Sequence, residues 1–87
     1  MLEEDQTTII LRELTLQMAR AVVKDPDQVG VEATAGPSMI VLELKVGPED
    51  MGRIIGKEGR VANAMRTLLR AGAAQRDKRV TLEIIGS

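Results

Sequence analysis

Residues 52–60 read Gly52-Arg53-Ile54-Ile55-Gly56-Lys57-Glu58-Gly59-Arg60, and the elements on either side of them decide the fold. Ahead of this stretch, Gly47-Pro48-Glu49-Asp50 is a helix start. Proline suits the first turn, and acids there complement the helix dipole. The helix it opens is brief, with Met51, Ile54 and Ile55 on one face, and Gly56-Lys57-Glu58-Gly59 interrupts it. A second helix begins at Arg60, with Val61, Ala64, Met65, Leu68 and Leu69 predicted on its inner stripe. Two glycines three apart between amphipathic helices allow a turn so tight that side chains would obstruct it. The second helix then presents unpaired N–H groups and its positive dipole end at the turn, a seat for a phosphate. Lys57 stands at the apex and Arg53 and Arg60 flank it. Ile54 and Ile55 divide between core and surface groove, and the spacing leaves open which does which.

Working outward, Leu11, Leu14, Met18, Ala21 and Val22 recur at helical spacing between Thr7 and Lys24, with Ile10 beside them. Asp5, Thr7 or Thr8 could cap this helix, and Asp25-Pro26-Asp27 stops it. Val29-Gly30-Val31-Glu32-Ala33-Thr34 alternates as a half-buried strand does, and Ala35-Gly36-Pro37-Ser38 is a turn. Ile40, Leu42, Leu44 and Val46 then face one side, completing an antiparallel hairpin. After the polar loop Gln75-Arg76-Asp77-Lys78, the closing strand alternates Val80, Leu82 and Ile84 with Thr81 and Glu83. The order is helix, strand, strand, helix, helix, strand: an α+β domain with its helices on one face of a three-stranded sheet. It is predicted to fill residues 1–87 as a single domain, with 1–6 a poorly ordered N-terminal extension.

Composition closes off whole classes of chemistry. The chain has 87 residues with no Cys, His, Phe, Tyr or Trp. Disulfides, Cys or His zinc sites, thiol nucleophiles and imidazole bases are excluded, as is any module that stacks bases on aromatic rings. The core is aliphatic, and the methionines read as core filler. Net charge is −1, but it is segregated. Residues 1–51 carry four basic side chains against ten acidic ones, a balance of −6. Residues 52–79 carry eight basic against two acidic, a balance of +6. A basic block on an otherwise acidic protein is the footprint of a polyanion site, or else a set of solvated faces that happen to cluster.

The Ile-Ile-Gly-Lys-Glu-Gly-Arg segment, between two helices and in this element order, resembles a KH domain. The helix and strand placed first are similar to the type II, prokaryotic arrangement, which implies a mixed sheet. Asp25 to Val29, Val46 to Gly52, Arg66 to Ala71 and Lys78 to Ile84 resemble the small stand-alone bacterial KH proteins of the KhpA family. That resemblance implies a non-catalytic single-stranded RNA-binding protein, an RNA chaperone or post-transcriptional regulator. It implies that Gly56, Lys57, Glu58 and Gly59 clamp the backbone of about four nucleotides. Arg53 and Arg60 flank the clamp. Ile54, Ile55, Val61 and Ala64 would form one groove wall, with the strand from Val80 and the loop from Gln75 forming the other. It also implies a homodimer, or a heterodimer with a second KH-domain protein of the KhpB (Jag/EloR) type. Glu58 departs from many family loops, which carry a neutral or basic residue there. Pointing outward it is outweighed by its basic neighbours; pointing inward it weakens binding.

Other readings fall away or stay as rivals. A nucleotide-binding phosphate loop needs one more residue before its Gly-Lys pair and a hydroxyl after it, and Glu58 follows here. Gly52 and Gly56 imitate a membrane dimer motif but lie in no apolar span. No metal, cofactor or catalytic residue is expected, no membrane span is present in the pattern, and a cytoplasmic address is the default. Arg66 and Arg70, four apart, either lengthen a phosphate track or only solubilise their helix. The rival function is a protein-interaction module in which the loop's positive charge is dispensable.

Overall fold

The structure, a computed structural model, describes residues 6–86. Helix α1 (Gln6–Val22) is followed by a 3-10 turn (Pro26–Gln28) and the hairpin of β1 (Gly30–Ala35) and β2 (Met39–Val46). A second 3-10 turn (Pro48–Asp50) leads into α2 (Met51–Ala74), and β3 (Arg79–Gly86) closes the chain. Four consecutive residues, Gly56–Gly59, leave helical geometry inside α2 and divide it into arms at 51–55 and 60–74. The α-β-β-α-α-β order is therefore present, with the two central helices joined through the glycine loop.

The sheet order is β1-β2-β3. β1 and β2 are antiparallel, from Gly30↔Lys45 to Ala35↔Ile40, and Gly36 N–H donates to the Met39 carbonyl to close the turn. β2 and β3 run parallel from Met39↔Arg79 to Val46↔Gly86, so α2 is the crossover that parallel pairing requires. Period-two alternation puts Ile40, Leu42, Leu44 and Val46 wholly inside, against Ile54, Ala62, Met65, Leu69 and Ala73 of α2 and Leu11 and Ala19 of α1. The same register aligns Glu32, Glu43 and Glu83 in one row across the opposite, solvent-facing side of the sheet. Two of the ten acids of residues 1–51, Glu32 and Glu43, are thus turned away from the helices together with Glu83.

Two helical stripes differ from the sequence pattern. On α1 the inner face is Thr7, Thr8, Leu11, Thr15 and Ala19, whereas Leu14, Ala21 and Val22 are exposed. Thr7 and Thr8 are therefore helical residues rather than caps, and Asp5 and the extension before Gln6 lie outside the described residues. Thr15 is accommodated inside because its hydroxyl bonds within the helix, Oγ1 donating to the Leu11 carbonyl at 2.7 Å, whereas the buried Thr8 Oγ1 has no partner among the described residues. Close approach of α1 to α2 is set at Gly72, where a Cβ would lie 3.1 Å from Leu11 Cδ2. On α2 the buried stripe is Ala62, Met65, Leu69 and Ala73, and Ala64 and Leu68 are exposed.

Candidate nucleic-acid interface

The loop that divides α2 is built from backbone torsions of unequal difficulty. Gly56 is extended (φ −60°, ψ 171°), whereas Lys57 (53°, 55°), Glu58 (63°, 23°) and Gly59 (70°, 25°) are all left-handed. Left-handed geometry costs an L side chain roughly 1–2 kcal/mol, a cost glycine escapes. Gly59 is thus the glycine that the turn needs. Gly56 adopts torsions open to any residue, and a Cβ built there meets nothing within 4 Å. The expectation that both glycines serve the turn is corrected on this point: nothing among the described residues requires Gly56 to lack a side chain.

Gly56 and Lys57 border a depression of about 470 Å³ with Gly52, Arg53, Arg60 and Val61, closed on the α1 side by Val22. Three cations and four aliphatic or glycine residues meet there. Lys57 and Arg60 are in no ion pair among the described residues. Arg53 is: its Nε lies 3.3 Å from Oδ1 of Asp50. Asp50 is almost fully buried and also accepts the backbone N–H groups of Lys24 at 2.9 Å and Asp25 at 3.1 Å. The Lys24 N–H, chiefly, holds its carboxyl below the ordinary value of 3.8; burial opposes this, and the Asp25 N–H and the Arg53 guanidinium add to it. The end of α1 is thereby fastened to the arm that carries the glycine loop. Sequence reading assigned Asp50 to dipole compensation, and no local signal marks a partner so far away in the chain.

The other predicted site residues separate. Ile54 has no exposed surface and belongs to the core, which corrects its place in a binding wall; Ile55 is 46% exposed beside the loop. Glu58 is exposed and does not border the Arg53–Arg60 depression. Ala64 is exposed and shares a flank with Arg60 and Leu68 by its helical spacing. Val61 faces the depression shared with Val22, so these two residues do not face β3 as one wall. The flank that meets β3 carries Asn63, Arg66 and Arg70 instead. Arg66 Nη2 donates to the Leu82 carbonyl at 3.2 Å, and its Nη1 lies 3.4 Å from Oδ1 of Asn63. Arg66 was the residue whose role the spacing left open.

A family model for the KH domain of KhpA/KhpB matches residues 12–84. The chain belongs to the KhpA/KhpB KH-domain family. It is similar to "RNA-binding protein KhpA" of Clostridium acetobutylicum, 48% identical over 75 residues that cover 86% of this chain and 100% of the relative. The protein of that name from Caldanaerobacter subterraneus is 52% identical over 73 residues, covering 84% of this chain and 97% of the relative. That from Treponema pallidum is 47% identical over 73 residues, covering 84% and 91%. Among solved structures, the chain is similar to Era in complex with MgGDPNP and nucleotides 1506-1542 of 16S ribosomal RNA. The TM-score is 0.61 at 17% identity, over 99% of this chain and 32% of that one, a likeness of fold alone. The KH assignment matches the observed α+β layers. Among the described residues, no helix is long and apolar enough to cross a membrane.

Proposed function

We propose that this chain binds single-stranded RNA without catalysis, holding the sugar–phosphate backbone of about four nucleotides on the Gly56–Gly59 loop. Gly56 carries the reading. Its torsions and its surroundings would accept a side chain, so its bareness serves something that approaches from outside. What approaches meets Arg53, Lys57 and Arg60 around one depression, which suits a phosphate. Ile55 offers the aliphatic surface on which a base lies, and Ile54 supports it from the core. The relatives, each named an RNA-binding protein, agree with this use of the chain.

The test is fluorescence anisotropy of a labelled, unstructured RNA at low and moderate salt, wild type beside Lys57→Asp with Glu58→Asp. Aspartate tolerates left-handed torsions, so the double variant keeps the loop while inverting its charge. Salt-sensitive binding that the folded variant loses is the expected result. Equal binding by the variant, or affinity indifferent to salt, sinks the clamp.

A second reading, a docking or dimerisation module, is favoured by Leu68, an aliphatic side chain 55% exposed on α2. The two are compatible, because a homodimer, or a pair with a second KH-domain protein, sets two weak clamps side by side and raises avidity.

A further inference from the structure

We propose that Asp50 is a positioning residue for RNA: it holds the Arg53 guanidinium in place beside the glycine loop and, through the end of α1, the Val22 wall of the depression there. This rests on the RNA reading above and names the residue that prepares its site.

Asp50 stands where a carboxylate ordinarily caps the helix that follows, yet its side chain makes no cap hydrogen bond to α2. Its oxygens are engaged elsewhere. Oδ1 accepts the Lys24 N–H and faces Arg53 Nε, and Oδ2 accepts the Asp25 N–H. A neutral amide has one acceptor oxygen, whereas these donors arrive on both oxygens and one of them is a cation. A buried charge is unfavourable unless paired, and an amide would anchor the α1 end in part without it. What the charge adds is its hold on Arg53.

The arm at 51–55 is too short to be stable by its own hydrogen bonds, yet it carries Arg53 and leads straight into Gly56. Asp50 ties it to the connection after α1, and that connection is itself seated. Gln28 Nε2 donates to Asp25 Oδ2 at 2.7 Å, and the same amide lies against Gly47, where a Cβ would come within 2.8 Å of its Oε1. Val22, the last residue of α1, lines the depression with Arg53, Lys57 and Arg60. One carboxylate thus steadies a wall from each helix.

Arg53 is held by one edge only. Its Nε faces Asp50, while its side chain is 55% exposed and its Nη groups make no hydrogen bond among the described residues. That leaves two Nη groups, with their N–H donors in one plane, for a phosphate. A long side chain fixed beforehand loses less freedom on binding, so the same contact gives more affinity. Lys57 and Arg60 are in no ion pair among the described residues, so Arg53 is the cation of the three that is oriented in advance.

The experiment is a double-mutant cycle on RNA affinity, read by anisotropy of a labelled unstructured RNA at about 0.15 M salt. Asp50→Asn, Arg53→Gln and the two combined are compared with wild type, each under conditions where urea titration shows it folded. Asp50→Asn is expected to weaken binding roughly fivefold when Arg53 is present and less than about twofold when it is not, the remainder being the Val22 wall. A role confined to stability predicts the same loss in both backgrounds. That result, or no loss at all, overturns the positioning role, and the clamp still stands if Lys57→Asp with Glu58→Asp loses binding. Should Asp50→Asn fail to fold, Arg53→Lys decides: it keeps the charge without the planar fork and is expected to bind about fivefold less tightly. Binding by Arg53→Lys equal to wild type overturns the proposal. A wild-type protein that binds no RNA overturns the RNA reading and this role together.

Discussion

The carboxylate of Asp50 accepts the backbone N–H of Lys24 at 2.9 Å, across twenty-six positions of sequence. With the Asp25 N–H and the Arg53 guanidinium on the same group, it ties the end of α1 to the first arm of α2. A carboxyl held below its ordinary value of 3.8 contributes stability that is complete above that value. The contribution is lost as pH falls through the lower native value. Asp50→Asn is therefore expected to have a lower urea midpoint than wild type, with an equal gap at about pH 7 and pH 5 that narrows below about pH 4. A gap that stays constant into strong acid removes the charge from this account.

The two loop glycines separate stability from binding. Gly59→Ala forces a side chain into left-handed geometry and is expected to cost about 1 kcal/mol. Gly56→Ala meets neither strain nor contact, so its stability is unchanged or raised by up to about 1 kcal/mol through a stiffer unfolded chain. It nonetheless puts a methyl where a phosphate backbone would pass, and RNA affinity falls. Urea midpoints and anisotropy on both variants decide it: a Gly56→Ala protein that binds like wild type contradicts the role given to that bareness.

The legible parts of this molecule are those whose signal is local. β2 could be read because Ile40, Leu42, Leu44 and Val46 alternate without exception, and the glycine loop because its residues are consecutive. The α1 stripe was misphased because Thr7, Thr8 and Thr15 count as polar in any hydropathy pattern yet pack inward here. On α2 the adjacent pair Leu68 and Leu69 fits two phases, and alanine marks neither core nor surface, so the spacing points to Ala64 where Ala62 is the buried residue. Asp50, Arg66 and the row of glutamates depend on strand register and on contacts between distant residues, which periodicity does not carry.

Glu58 combines two penalties in one residue: left-handed torsions, and a negative charge at the loop proposed to hold phosphate. Asn accepts such torsions far better than Glu. Glu58→Asn is expected to gain up to about 1 kcal/mol of stability and to tighten RNA binding at low salt. Glu58→Ala removes the charge but keeps the strain, so it should tighten binding without the stability gain. Parallel urea and anisotropy titrations separate the effects, and an Asn variant no better than wild type in either sinks both.

Leu68 tests the partner reading. Being more than half exposed, its replacement by glutamate is expected to shift stability by no more than about 0.5 kcal/mol. If α2 meets a second copy through this flank, the buried charge weakens the dimer strongly, visible in sedimentation velocity across a concentration series. A wild-type protein that sediments as a monomer throughout, or a Leu68→Glu protein that associates undiminished, excludes this face.

Glu43 stands in register between Glu32 and Glu83, so its cross-strand partner on either side is a like charge, with Lys45 two positions along its own strand on the same face. Directly opposed like charges destabilise a sheet, and Glu43→Gln removes both repulsions while keeping shape. It is expected to stabilise the protein by about 0.5 kcal/mol, with a larger difference at low salt than at high. The consequence for RNA follows from layer geometry. The row faces away from the helices, and the screening length at physiological salt is about 8 Å. Removing one of these charges should therefore raise RNA affinity only at low ionic strength and leave it unchanged near 0.15 M, where about 8 Å of screening intervenes. A variant that changes affinity equally at both salts would place the acidic row next to the ligand, and the charge segregation would then need a different explanation.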